Sequence, residues 1–449
     1  MADRYPKRLL MLCYHYFPAV SGGVGRSVRF ARYLPEYGWT PVVVTTNRWG
    51  DGGGGVGEIM RVGELFRRTN AGEPAGTGAA EAAHTGADVR AGGLSGTNAR
   101  GGLRRAFLRF AEKWLLVPDK HVRWTAMALF PALRLLRRVR AQAIYTTSPP
   151  ASAHVLGLVL KRLTGVPLII DLRDPWTLEP LGWFLRSGGA RLALEKRIER
   201  LCLRNADAII ATTQEAARKY SELYPGCAAR IHWIPNGFDA QELEGARSSV
   251  SRSEHVEGLG EDVFVIGHLG TFCRYTDAPA YPKGLLDAVK MLSSEGSLSP
   301  RNCRIIFAGS MNAETRARIA AYDLGRLISM PGPVSHIEAL RIMLRSDLLF
   351  LYDPNREGNY YIHGKLYEYL AAGRSILAVL PPGAARNLLA HSGQGVTLAG
   401  DEGAEIGRVL VRALRERGRR AAPANSGIAR YEGRYQTLSL AHIIDEACR

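Results

Sequence analysis

The chain holds 449 residues, 46% hydrophobic and 22% charged, which excludes wholesale disorder and fibrous architectures and allows two or three globular domains. Lys and Arg (59) outnumber Asp and Glu (42), a net charge of +17, so the expected partners are anionic: nucleic acid, an acidic membrane surface or phosphorylated substrates. Cys13, Cys202, Cys227, Cys273, Cys303 and Cys448 form no C-x-x-C pair and read as reduced cytosolic thiols, and no uninterrupted run of about 18 apolar residues occurs, so a soluble or peripheral protein is expected.

In chain order, short apolar runs alternate with helical periodicity, the grammar of a parallel sheet. Leu9 to Tyr14 predicts a strand, Arg26 to Tyr37 a helix and Val42 to Thr45 a strand. From Asp51 to Gly102 the pattern gives way to a Gly- and Ala-rich, low-complexity stretch with little that could build a core, read as a mobile insertion. Helices follow at Leu103 to Leu116 and Trp124 to Arg140, then a strand at Ala143 to Tyr145, a helix after Pro150 and a strand at Pro167 to Asp171. A helix at Gly189 to Asn205 and strands at Asp207 to Ala211 and Ile231 to Ile234 complete the first half. Ala240 to Glu261 reads as a polar linker. Strands at Val263 to Leu269, Cys303 to Phe307, Leu327 to Met330, Asp347 to Leu351 and Ser375 to Val379, with helices between, then predict a second doubly wound α/β domain. The reading is a domain over 1–240, a second over 241–425, and a final helix within 430–449 packed back on the first.

Three segments carry candidate chemistry. Gly22 and Gly23 follow the first strand and open the first helix, where glycines let backbone approach a ligand and helix amides face an anion. The dinucleotide G-x-G-x-x-G fingerprint is absent, which disfavours NAD. Asp171, Arg173 and Asp174 lie at the carboxyl end of a buried strand, where open α/β sheets bind ligands; the alternative is a self-satisfied ion pair ordering the loop. Gly364, Lys365, Leu366 and Glu368 open a helix whose free amides and lysine suit a phosphate, with the glutamate placed to accept both hydroxyls of a ribose. The alternative there is an i,i+3 salt bridge on a solvated face.

The last motif, together with the Gly22–Gly23 loop, Pro235 to Asp239, Gly267 to Thr271 and Ala308-Gly309, resembles glycosyltransferase family 4, the retaining enzymes of GT-B fold. The resemblance implies two Rossmann-like doubly wound parallel-sheet domains facing across a cleft, the first serving the acceptor and the second the nucleotide sugar. It implies transfer from a nucleoside diphosphate sugar to a saccharide or lipid-linked acceptor, with no metal or other cofactor. Gly22, Gly23, Gly270, Thr271, Arg274, Lys283, Gly364, Lys365, Leu366 and Glu368 are then expected around the donor, and Asp171, Arg173 and Asp174 at the catalytic position. Tyr360 stands where the family usually has a first glutamate, and a longer spacing separates Arg274 from Lys283-Gly284 than is usual.

Between Leu103 and Arg140, ten basic residues oppose only Glu112 and Asp119. Phe107, Phe110 and Trp114 share one helical face while Arg105, Arg109 and Lys113 populate another, so 103–116 is read as a helix on an anionic membrane, or else docked on its own domain. The expectation is therefore a cytoplasmic enzyme of cell-surface polysaccharide or glycoconjugate synthesis, peripheral on the inner face of the plasma membrane, with no nucleic acid partner. A nucleotide-sugar 2-epimerase on the same fold and a basic, non-catalytic nucleic-acid-binding protein are the competing readings.

Overall fold

The computed structural model describes residues 7–19, 23–50, 55–64, 116–178, 189–252, 255–256, 259–260, 262–272, 281–353, 360–417 and 427–449. The chain divides into two units, Met1–Asn236 with Gly433–Arg449, and Gly237–Glu432.

In the first unit, seven parallel strands are β1 (Lys7–Leu12), β2 (Trp39–Thr46), β3 (Glu58–Val62), β4 (Ala143–Thr147), β5 (Leu168–Leu172), β6 (Ala208–Ala211) and β7 (Ile231–Trp233), in the order β3-β2-β1-β4-β5-β6-β7. Their near-continuous apolar runs reflect a sheet covered on both faces. With a side-chain period of two, Leu10, Leu12, Val42, Val44, Ile144 and Ile170 form one buried layer. That layer packs under α2 (Val122–Val139) and α3 (Ser152–Thr164). Leu9, Met11, Val43, Tyr145 and Ile169 form the opposite layer, with Phe30 of α1 (Val24–Tyr33). The final helix, α13 (Gly433–Ala447), adds Leu440, Ala441 and Ile444 to it. Lys7 Nζ lies 2.7 Å from Asp445 Oδ1, and Trp39 Nε1 donates to the same oxygen at 3.2 Å. Two more helices, α4 (Gly189–Asn205) and α5 (Gln214–Leu223), complete the unit.

The second unit repeats the scheme with β8 (Phe264–Leu269), β9 (Cys303–Ala308), β10 (Ile328–Gly332), β11 (Leu348–Tyr352), β12 (Ser375–Val379) and β13 (Gly395–Leu398), ordered β10-β9-β8-β11-β12-β13. Its helices are α6 (Ala240–Arg247), α7 (Lys283–Ser294), α8 (Ala313–Ala320), α9 (His336–Arg345), α10 (Gly364–Ala372), α11 (Ala384–Ser392) and α12 (Gly403–Arg415). Val265, Leu349, Leu351 and Ile376 face α9 and α10, whereas Ile266, Phe307, Phe350 and Leu377 face α7 and α12.

Two expectations change. The stretch 51–102, expected to be a mobile insertion with little to build a core, contributes β3, which pairs with β2 in register (Val42 with Glu58, Thr46 with Val62), and Val62 is buried. The linker at 240–261 contains α6, capped by Asp239, whose carboxylate accepts from the Gln241 amide at 3.0 Å. Leu243 and Ala246 join the second core from that helix. Both orders reverse at one point, between β1 and β4 and between β8 and β11, and ligands of open α/β sheets bind beyond the carboxyl ends of strands at such points.

Candidate functional site

Beyond β8 in the second unit, the chain turns at Gly270 with φ +104°, a left-handed value that glycine adopts without strain. Its amide donates to Ala308 O at 2.7 Å. Gly309, at φ +149°, packs against it so closely that a Cβ there would lie 2.1 Å from Gly270 O. A Cβ on Gly270 would lie 3.6 Å from Lys365 Nζ, so the ammonium hangs over this turn.

Lys365 stands in the first turn of α10, a helix that begins at His363 with no side-chain cap. The Leu366 amide already donates to His363 O at 3.0 Å and its side chain is fully buried. Leu366 therefore belongs to the core, a correction to its placement among the donor-contacting groups. Glu368 follows one turn later, with Oε1 3.8 Å from His336 Nε2, itself 3.3 Å from Glu242 Oε2.

Behind this edge, buried His268 stacks on Phe272 with centroids 4.0 Å apart and holds Phe350 O at 3.0 Å through Nδ1. Burial, reinforced by Lys365 and His363, keeps it neutral, its pKa well below the usual imidazole range. Tyr369 fixes the end of β8, its hydroxyl oxygen accepting from the Leu269 N–H at 2.9 Å. His363 Nε2 lies 3.2 Å from Asp353 Oδ2, and Asp353 is buried directly after β11. Sequence reading gave His268, Asp353 and His363 no role, although His268 lies within Gly267 to Thr271 and His363 directly precedes Gly364; the signal available was their position in, after or beyond the strands flanking the β8/β11 switch.

The remaining expected donor residues are placed less centrally. Lys283 opens α7 and forms an exposed ion pair with Asp287 at 2.6 Å, which raises its pKa through that hydrogen bond. Thr271 lies half-buried beside Gly270. Gly22 and Arg274 lie outside the described residues.

In the first unit, Asp171 is completely buried and accepts from Arg26 Nε at 2.8 Å, Arg26 Nη2 at 3.1 Å and the Tyr145 hydroxyl. Arg26 also donates to Ile234 O at 3.1 Å and Pro235 O at 2.7 Å. Asp171 is thus a structural anchor joining α1, β4 and β5, which corrects its expected catalytic placement: its oxygens are consumed within the core. Arg173 and Asp174 do stand together at the strand end, Nη2 to Oδ2 3.0 Å, with Arg173 Nε donating to Ser148 O at 3.2 Å. Gly23 lies beneath that guanidinium, since a Cβ on it would meet Arg173 Cζ at 2.2 Å. The helix expected at 103–116 lies outside the described residues up to 115; among the described residues no helix is long and apolar enough to cross a membrane.

The description of Glycosyltransferase Family 4 matches residues 86–242. Among solved structures, Anabaena Alr3699/HepE in complex with UDP and glucose is similar over 98% of this chain and 99% of that one, at 16% identity and a TM-score of 0.61. Sucrose-phosphate synthase from Thermosynechococcus elongatus is similar over 97% and 98%, at 14% identity and a TM-score of 0.58. A UDP-GlcNAc 2-epimerase from Neisseria meningitidis bound to UDP-GlcNAc is similar over 97% and 99%, at 11% identity and a TM-score of 0.55. No curated protein matches the chain. Residues 86–242 thus match Glycosyltransferase Family 4, and the two switch-point parallel sheets share the GT-B fold of these solved glycosyltransferases.

Proposed function

We propose that this family 4 type glycosyltransferase moves a sugar from a nucleoside diphosphate sugar to a saccharide or lipid-linked acceptor, with retention of anomeric configuration and no metal cofactor. The observation that carries the reading is the start of α10 at the β8/β11 switch, where the Lys365 ammonium lies over the Gly270 turn and the Glu368 carboxylate follows one helical turn on. A departing diphosphate needs positive potential above all, and a helix N-terminus with a lysine beside it supplies that without reorganisation in the transition state. Glu368 is assigned the ribose hydroxyls and Lys365 the diphosphate, with Lys283 and Arg274 adding to it. Arg173 and Asp174 are assigned to the donor sugar or acceptor hydroxyl. UDP heads the test panel because the Anabaena protein of the same fold was solved with it.

The pathway assigned is cell-surface polysaccharide or glycoconjugate synthesis, with contact to the inner face of the plasma membrane through the basic, aromatic stretch 103–116. Thermal-shift measurements against nucleoside diphosphates and their sugars test the core of this reading, since a ligand at 100 times its dissociation constant stabilises by about 2.7 kcal/mol. Glu368→Ala removes two charge-assisted hydrogen bonds worth on the order of 1.5 kcal/mol or more each, so nucleoside diphosphate affinity should fall at least tenfold. Unchanged affinity in the folded variant refutes the assignment. A 2-epimerase, whose fold this chain shares, is told apart by turnover of the sugar nucleotide with no acceptor present.

A further inference from the structure

The outer face of α2 carries a surface that neither the fold nor the donor reading uses. Helical periodicity turns Trp124, Ala128, Leu135 and Val139 inward, where they are buried. Arg123, Met127, Phe130, Arg134 and Arg137, at spacings of 4, 3, 4 and 3 residues, then share one stripe on the opposite side. All five are exposed, Phe130 to 76% and Met127 to 42%. At about 1.5 Å of rise per residue the stripe is about 21 Å long, with its apolar pair in the middle and arginines at both ends.

The apolar surface continues past the stripe. Ala126, one turn before Phe130, lines an open groove of about 210 Å³ with Val122 and Leu129 of α2 and Leu156 and Val159 of α3. Leu163, one turn beyond Val159 on α3, is also exposed. Single exposed apolar side chains are ordinary, whereas a contiguous set beside a groove marks an interaction surface. The charge on this face has one sign, since α2 and α3 contain no acidic residue. Acids on neighbouring elements are engaged, Glu58 by Arg138, Asp207 by Lys161 at 2.6 Å and Asp119 by the Ser152 hydroxyl at 2.9 Å. Arg123, Arg134 and Arg137 have no ion pair or side-chain hydrogen bond among the described residues.

We propose that this face of α2, with the groove it shares with α3, docks on an anionic lipid surface. A bilayer offers both phases that the stripe asks for. Phe130 and Met127 enter the acyl boundary, the groove continues that apolar contact, and the arginines at the two ends reach phosphate headgroups along their own aliphatic stems. A second copy of the chain would set arginine against arginine. Residues 103–115, which lie outside the described residues, carry four basic groups against Glu112 alone, so they do not neutralise the face and call for the same anionic partner. The proposal deepens the membrane contact assigned above by naming a second surface for it, and stands on α2 rather than on 103–116.

The full chain is co-sedimented with phosphatidylcholine vesicles, with and without phosphatidylglycerol, at low and high salt. The expected result is binding to the anionic vesicles that fades as salt rises. Met127→Ser with Phe130→Ser should weaken it at least tenfold, and Arg123→Glu, Arg134→Glu and Arg137→Glu together about a hundredfold or more at low salt. Because these side chains are exposed, both variants should keep the native melting temperature and nucleoside diphosphate affinity. The same change of net charge made at Arg218, Arg301 and Arg408, exposed on other elements, should leave vesicle binding within a few fold of native. Equal binding to neutral and anionic vesicles, or an equal loss in that control, would overturn the proposal. So would a serine variant that melts lower, or that turns a dimer into monomers, while binding vesicles as native does, since the face would then be covered by this chain or by a second copy. Native binding by both α2 variants, with loss in the Arg105, Arg109 and Lys113 exchange, overturns this surface and leaves the contact through 103–116 standing; the reverse pattern establishes α2 and removes 103–116.

Discussion

Replacing Asp171 with Ala tests whether the pair at the heart of the first unit is structural. Arg26 is 2% exposed and Asp171 completely buried, and the two share two hydrogen bonds of 2.8 and 3.1 Å. After the substitution the guanidinium keeps the carbonyls of Ile234 and Pro235 but has lost its carboxylate, leaving an uncompensated charge in a dry interior. Breaking a buried pair from one side costs about 3 to 5 kcal/mol, a large part of the roughly 5 to 15 kcal/mol by which domains are stable. With a urea dependence of about 3 kcal/mol per molar, the transition of the first unit should move down by about 1 to 1.7 M. The second unit contains none of these groups, so any separate transition it shows should hold its midpoint. A double replacement, Arg26→Leu with Asp171→Leu, should be less destabilised than Asp171→Leu alone, because the orphaned charge leaves with its partner. Urea unfolding followed by circular dichroism measures all of these. A loss below about 1 kcal/mol for Asp171→Ala, with activity abolished, would refute the anchoring argument and restore a catalytic role.

Three other perturbations have defined outcomes. Gly309→Ala forces a Cβ to 2.1 Å from Gly270 O at a φ of +149°, and should cost about 1 to 3 kcal/mol while shifting Gly270 enough to weaken nucleotide binding, both readable from thermal shift with and without UDP. Burial lifts the Glu195 carboxyl from 4.5 to about 7, outweighing Arg191 and Trp176, so between those pH values the folded protein holds a proton that the unfolded chain has lost. Stability from this group is full below pH 4.5 and is lost as pH rises through 7; Glu195→Gln should flatten that part of the melting temperature against pH, and an identical slope in both proteins argues against it. Exchanging Arg105, Arg109 and Lys113 for Glu should abolish co-sedimentation with anionic vesicles at low salt, each basic residue contributing about 1 kcal/mol; equal binding by native and variant removes the membrane assignment.

Central strands were legible because a parallel sheet buried on both faces leaves runs such as Leu9 to Leu12 and Leu348 to Leu351 with no polar break. Edge strands were not. β3 has one buried side chain, Val62, among glycine-rich flanks, and β13 begins with a glycine and two further exposed or half-exposed residues. α6 went unread because a short helix burying only Leu243 and Ala246 has too little apolar periodicity to stand out, although Asp239 carried a capping signal. The same division holds at the sites. Lys365 and Glu368 share one helix, so their spacing shows in the sequence. Contacts such as those of Tyr14 with His121 and of His15 with Trp49 join the ends of β1 and β2 and the entry to α2, segments that only the strand order brings together. Leu366 was misassigned for a related reason: a helix start exposes its first amides, and by the third residue the chain has turned its side chain into the core.

The glycines after β1 illustrate how one sequence signal serves two physical ends. A glycine at the start of a helix that follows a strand permits close approach of an anion, and that was the reading of Gly23. In the folded first unit the space over Gly23 is filled by the Arg173 guanidinium, so a side chain there is excluded by an arginine. The two uses reinforce one another electrostatically. The amide end of α1 carries a partial positive charge, and placing a guanidinium beside it is unfavourable unless an anion offsets both. Asp174 does so at 3.0 Å, while Ser148 O accepts from the Arg173 Nε. Arg173 and Asp174 therefore form a pair whose carboxylate balances two sources of positive potential. Replacing Asp174 with Asn should leave that potential uncompensated and strengthen the attraction of this strand edge for an anionic ligand.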